Sequence, residues 1–227
     1  MKALKLAICA ATASLAMGGA AFAQEVEFSG NIGITSDYIF RGVSQTDEGP
    51  AIQGGADLSS GIFYAGVWAS NVDFYDETDA EIDLYMGVKP ELGPVALDLG
   101  AIYYGYLNEP SGADYAYWEF KAAASIPAGP ATLGAAVYYS PEFFGGIGSA
   151  TYVEVNGAIS PADKWTINGA LGNQGFDAGG DYTTWNVGVS YAFTDNFSAD
   201  LRYHDSDLDC TDLCGSRVSV GIKATLP

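Results

Sequence analysis

Residues 181–193 read DYTTWNVGVSYAF. Thr183, Trp185, Val187, Val189, Tyr191 and Phe193 share one parity, and Tyr182, Thr184, Asn186, Gly188, Ser190 and Ala192 share the other. Side chains of a strand point alternately to its two faces, so this spacing predicts a strand with one apolar, aromatic face and one small or polar face. The neighbouring stretches behave alike. In NFSADLRYH (196–204), Phe197, Ala199, Leu201 and Tyr203 alternate with Ser198, Asp200, Arg202 and His204. In RVSVGIKATL (217–226), Val218, Val220, Ile222, Ala224 and Leu226 alternate with Arg217, Ser219, Gly221, Lys223 and Thr225.

The same template applied along the chain predicts twelve strands, at 26–39, 50–59, 62–70, 80–89, 95–107, 115–126, 131–140, 150–160, 164–174, 181–193, 196–205 and 216–226. Their length suits tilted strands crossing a bilayer. Between them five short turns alternate with six longer polar connections at 40–49, 71–79, 108–114, 141–149, 175–180 and 206–215. Strict alternation of short and long is what an up-and-down meander with a short-turn end and a long-loop end requires. The predicted fold class is therefore all-β, a twelve-stranded antiparallel up-and-down transmembrane β-barrel.

A soluble barrel would also alternate, and a periplasmic lipocalin-like binder is the soluble alternative. The N-terminus bears on the choice. Lys2 and Lys5 precede an apolar run at 6–17, and Ala21-Phe22-Ala23 has the shape of a signal-peptidase site, so residues 1–23 read as a cleaved secretory signal and 24–227 as a single barrel domain. Loss of Lys2 and Lys5 takes nine basic residues to seven and the net charge from −19 to −21. Such acidity argues against a nucleic-acid partner. With 15 Tyr, 11 Phe and 4 Trp the chain is too aromatic to be a disordered acidic tail. If the apolar faces meet lipid, the seven remaining bases, Arg41, Lys89, Lys121, Lys164, Arg202, Arg217 and Lys223, all fall on the opposite parity, as a polar lumen demands.

On that reading Asp37, Asp57, Glu81, Asp83, Asp98, Glu119, Lys121, Glu154, Asp200 and Arg202 line the pore. Arg41 stands at the loop end of the first strand with Gly42 behind it and Asp47 and Glu48 nearby. A solvated ion pair at the rim is the default for it, and inward folding of the first loop over the pore mouth is the sharper alternative. Cys210 and Cys214, in an exported chain, predict a small disulfide; a metal centre would need two further soft or imidazole ligands, and the chain has one histidine, His204. His204 beside Asp205 and Asp207 is the only cluster resembling a general base with an orienting carboxylate. Acidic loops at 73–83 and 204–212 offer oxygen ligands for weak Ca²⁺ or Mg²⁺ binding without the spacing of an EF-hand.

The stretches GNIGITSDYIFRGVSQTD (30–47), PAIQGGADLSSGIFYAGVWASNVD (50–73) and AEIDLYMGVKPELGPVALDLGAIYYGYL (80–107), together with CTDLCGSRV (210–218), resemble the TorF family. These are small glycine- and tyrosine-rich outer-membrane barrels of Gram-negative bacteria, named for a predicted porin role. The resemblance implies outer-membrane lipid and lipopolysaccharide as surroundings, passage of small hydrophilic solutes or cations, and no cofactor, metal or catalytic residues to carry over. The expectation is a non-enzymatic, cation-preferring porin. A structural or adhesive barrel with a plugged lumen and a rim hydrolase built on His204 are its rivals.

Overall fold

The computed structural model describes residues 25–210 and 212–226. The signal predicted over 1–23 lies outside the described residues. In chain order the strands are β1 (Glu27–Thr35), β2 (Ile39–Phe40), β3 (Val43–Ser44), β4 (Ala51–Ser60), β5 (Phe63–Asn71), β6 (Ala80–Val88), β7 (Glu91–Leu92), β8 (Val95–Leu107), β9 (Tyr117–Ala128), β10 (Ala131–Ser140), β11 (Ala150–Ala162), β12 (Trp165–Phe176), β13 (Tyr182–Thr194), β14 (Phe197–Ser206) and β15 (Arg217–Leu226).

Setting aside the short β2, β3 and β7, twelve strands form a closed antiparallel barrel. Each wall strand pairs with its neighbour in sequence, and β1 pairs with β15 from Gly30 opposite Leu226 to Thr35 opposite Gly221. Closure leaves no open strand edge, the condition for a sheet to survive in hydrocarbon.

The barrel is inside-out relative to a soluble one. Ile32, Ile34, Leu84, Met86, Leu133, Val153, Val155, Leu171, Val187 and Val220 are exposed on the outer surface. Fully buried positions include Glu119, Gln174 and Ser140. An apolar exterior around a polar interior is the arrangement of a barrel whose outer solvent is lipid. Aromatic pairs such as Trp165–Tyr191, Tyr191–Phe193 and Phe193–Phe197 collect near the short-turn end, where an interfacial belt belongs. Val187→Arg, on the lipid face, is expected to cost about 2–4 kcal/mol near the bilayer midplane. Asn186→Arg, one residue away on the inner face, should cost far less. Refolding both into lipid vesicles across a denaturant series measures the difference, and equal costs would contradict this facing.

One predicted element is shorter in the structure. The first strand was expected over 26–39 but ends at Thr35. The apolar alternation continues past it because Tyr38 and Phe40 pack inside the barrel, against Trp68 and Tyr104, instead of extending the wall.

Candidate functional site: a loop-borne arginine across an acidic lumen

The residues after β1 form a miniature hairpin, Ile39-Phe40 paired with Val43-Ser44. Its two-residue turn is Arg41-Gly42, with φ of 48° and 85°. Positive φ at both central positions is the type I′ pattern that suits a two-residue hairpin. Glycine takes it freely, and a Cβ at Gly42 would stand 2.6 Å from Thr184 Oγ1. Arginine does not favour that conformation, so the contacts of its side chain must hold it there.

Those contacts span the lumen. Arg41 Nη1 and Nη2 donate to Glu119 Oε1 and Oε2 on β9 at 2.7 and 2.8 Å, and Nη1 also donates to Gln174 Oε1 on β12 at 3.0 Å. The guanidinium lies 4.3 Å from the ring centroid of Tyr152, 4.7 Å from that of Phe40 and 5.1 Å from that of Tyr138. Its side chain is 7% exposed and that of Glu119 2%. Burial disfavours the charged guanidinium, but the charge and hydrogen bonds of Glu119 outweigh it and hold Arg41 more firmly protonated than a free arginine. A planar fork bound bidentately and stacked on rings is geometry that lysine cannot copy.

The inserted segment is fastened from several sides. Asp37 accepts from Ser44 Oγ at 2.6 Å and Thr46 Oγ1 at 3.2 Å, and pairs with Arg217 on β15 at 3.3 Å. Tyr38 donates to Glu81 on β6 at 2.7 Å, and burial followed by that carboxylate raises its hydroxyl pKa well above the ordinary tyrosine value. Val43 bridges to Cys214, and Cys210 and Cys214 are joined in a disulfide, so the cross-linked loop before β15 braces the hairpin from outside. Asp47 and Glu48, expected to attend Arg41, instead accept from Tyr75 and pair with Arg217. Arg41 is therefore inside the barrel and not at the rim that was its default placement. The physical reason is that a desolvated bidentate partner and three ring faces are available there.

The remaining residues expected to line the pore are on the inner face. Asp98 accepts from Lys121 at 2.6 Å and Tyr64 at 2.7 Å. Asp200 pairs with Arg202 at 3.1 Å, and Arg202 donates to Asn186 at 2.7 Å. Asp57 accepts from Tyr85 at 2.6 Å, and Glu154 from Tyr152 at 3.0 Å and Asn156 at 2.8 Å. Asp83 is 8% exposed, and its Oδ1 is buried without a partner. Gln174 and the ring faces of Tyr138 and Tyr152 were not singled out by sequence reasoning. The signal was the R-G pair set between I-F and V-S, a hairpin turn whose tip has to point somewhere.

The hydrolase cluster does not assemble. His204 Nε2 is 3.1 Å from Ser219 Oγ, while Asp205 accepts from Tyr203 at 3.0 Å and Asp207 from the Thr183 amide. Adjacent strand residues face opposite sides, which separates the imidazole of His204 from the carboxylate of Asp205. Among the described residues no three of the histidine, cysteine and acidic side chains are arranged to hold a metal ion.

Tyr152 reaches Arg41 by lying across Gly172, where any Cβ would collide with its hydroxyl. Gly172→Leu should displace the ring and cost roughly 1–3 kcal/mol, read as a lower denaturation midpoint of the refolded barrel.

Along the barrel the open space divides at the hairpin. A cavity of about 510 Å³ lies toward the long-loop end, between the hairpin and loop aromatics such as Phe74, Phe143 and Phe144. Others of about 340 and 400 Å³ lie along the inner wall, beside Asp200 and Lys223 and beside Asp98 and Lys89.

A closed twelve-stranded barrel, apolar outside and charged within, defines the class as an outer-membrane-type β-barrel. The chain belongs to the family described as bacterial protein of unknown function (Gcw_chp), whose model matches residues 19–225. That family, and not the TorF name, is what the match establishes. No curated protein matches the chain. Among solved structures it is similar to the KdgM porin, with a TM-score of 0.63 at 11% identity, covering 88% of this chain and 99% of that one. It is also similar to OmpTdeltaL8, a loop L8 deletion mutant of OmpT, an outer membrane protein of Vibrio cholerae, with a TM-score of 0.52 at 13% identity and coverage of 88% and 99%. At such identities the likeness concerns the fold.

Proposed function

We propose that this protein is a narrow, cation-preferring porin of the outer membrane, passing small hydrophilic solutes by diffusion, with the hairpin at 39–44 as its constriction. The observation that carries the reading is the distribution of charge on the inner face. Eight carboxyl groups there, those of Asp37, Asp57, Glu81, Asp83, Asp98, Glu119, Glu154 and Asp200, outnumber six bases, Arg41, Lys89, Lys121, Arg202, Arg217 and Lys223, four of which are held in the ion pairs described. Asp57 and Glu154 are half-buried and hydrogen-bonded only to neutral groups. Carboxylates without a basic partner in a confined polar path concentrate cations and exclude anions. No chemical step is required, and the carboxylates of Asp205 and Asp207 bond to groups other than His204.

The second reading, a structural barrel with a plugged lumen, is favoured by the Arg41 bridge between β9 and β12. Single-channel recording of the mature protein in a planar bilayer, with reversal potential under a KCl gradient, separates the two. Discrete steps with cation preference are expected. Silence from barrels shown to be folded and inserted would leave the structural reading in their place.

A further inference from the structure

The cavity at the long-loop end differs in chemistry from the lumen below it. Its wall is mainly rings, among them Phe74, Tyr115, Phe143, Phe144, Phe176 and Tyr182, and among the described residues no charged side chain lines it. The rings hold one another in place: Tyr115 and Phe144 stack at 4.3 Å, and Phe143 lies 4.7 Å from Tyr117 and 5.6 Å from Phe176. Several polar groups on the wall are already engaged. Ser44 Oγ donates to Asp37, Gln174 Oε1 accepts from Arg41, and Tyr115 donates to Asp76. What remains for a ligand is mainly ring faces, with the Tyr117 and Tyr182 hydroxyls among them.

The surrounding charge is mostly negative, with Arg217 engaged by Asp37 and Glu48. The long connections carry Asp47, Asp73, Asp76, Glu109, Glu142 and Asp181 among their acids, and their one base, Arg41, is turned inward. An anion would be repelled there. A neutral sugar would find few free hydrogen-bond partners. A hydrated metal ion would find no carboxylate in the wall. A weakly hydrated organic cation meets both features, since ring faces attract it after desolvation and the acidic surroundings raise its local concentration. The protein already seats its own cations in this way, with Arg41 over three rings and Lys89 Nζ 4.5 Å from the Tyr64 centroid.

We infer that the cavity between the hairpin and the loop aromatics is a capture site for a hydrophobic organic monocation of the alkyl- or arylammonium class, held by ring faces. The inference deepens the porin reading, on which its role in uptake rests, by naming a class of solute.

The test titrates the mature protein, in a non-ionic polyoxyethylene detergent, with phenyltrimethylammonium by calorimetry and saturation-transfer NMR. The shape-matched alcohol 2-phenylpropan-2-ol is the uncharged control. Saturable binding of the cation, clearly tighter than that of the alcohol, is expected. A Phe143→Leu/Phe144→Leu variant, which keeps apolar volume and leaves the Arg41–Glu119 pair alone, should weaken it roughly fivefold or more. Tyr115→Phe should retain it. Heat-modifiable migration in electrophoresis verifies that each variant is a folded barrel. Absence of binding, equal affinity for the alcohol, or an unchanged affinity in the folded leucine variant would overturn the inference. Binding in micelles is independent of conduction. A silent barrel that binds the cation removes only the porin reading, and a conducting barrel that does not bind it removes only this one.

Discussion

Arg41→Ala is expected to raise single-channel conductance severalfold and to lower the stability of the barrel. The guanidinium occupies the path between Glu119 and Gln174 and is stacked against Tyr152, Phe40 and Tyr138. Truncation removes the bulk that crosses the lumen and leaves the Glu119 carboxylate, 2% exposed, without its partner. Breaking a buried ion pair from one side costs roughly 3–5 kcal/mol, and water entering the vacated space recovers part of this. The hairpin also loses its strongest anchor, leaving the Asp37 and Tyr38 contacts and the bridge from Val43 to Cys214 to hold it in the barrel. Arg41→Lys separates charge from shape. It keeps the positive charge but not the bidentate fork, so an intermediate conductance is expected. Unchanged conductance in a folded Arg41→Ala barrel would show that ions do not pass by this route.

Asp57→Asn together with Glu154→Gln should abolish most of the cation preference while leaving conductance near that of the parent. These two carboxyl groups are half-buried on the inner face, and their partners are neutral: the Tyr85 hydroxyl for one, Tyr152 and Asn156 for the other. Asp98 and Asp200 differ, because Lys121 and Arg202 lie beside them and screen the field felt by a passing ion. An amide still accepts a tyrosine hydrogen bond, so local packing survives the exchange. The measurement is the reversal potential in a KCl gradient, which should move toward zero. A potential identical to the parent's would place selectivity elsewhere, at the acidic outer loops.

Much of the architecture is legible in the residue pattern because strand alternation is a local property. Each of Thr183 to Phe193 declares its face by parity, and the alternation of short turns with long connections orders the strands without knowledge of any contact. The bounds of some strands were also close, with observed strands such as 95–107 and 131–140 ending where the pattern ends. At 36–39 locality failed. Tyr38 and Phe40 continue the wall's alternation, yet they belong to a hairpin packed inside it, and parity cannot tell a wall from a segment folded against one.

The candidate site divides in the same way. The sequence alone grouped the acids and bases on one face of the strands, because sharing a face depends only on parity within a strand. It also placed an arginine and a glycine together at a turn. That Arg41 meets Glu119, 78 residues away, and Gln174, 133 residues away, follows from the closed barrel and not from the residue pattern. Closing the sheet into a cylinder brings strands distant in sequence to opposite sides of one lumen, so whether the first loop spans it depends on the barrel's width and on which side chains face across. Residue pattern along the chain carries no record of either.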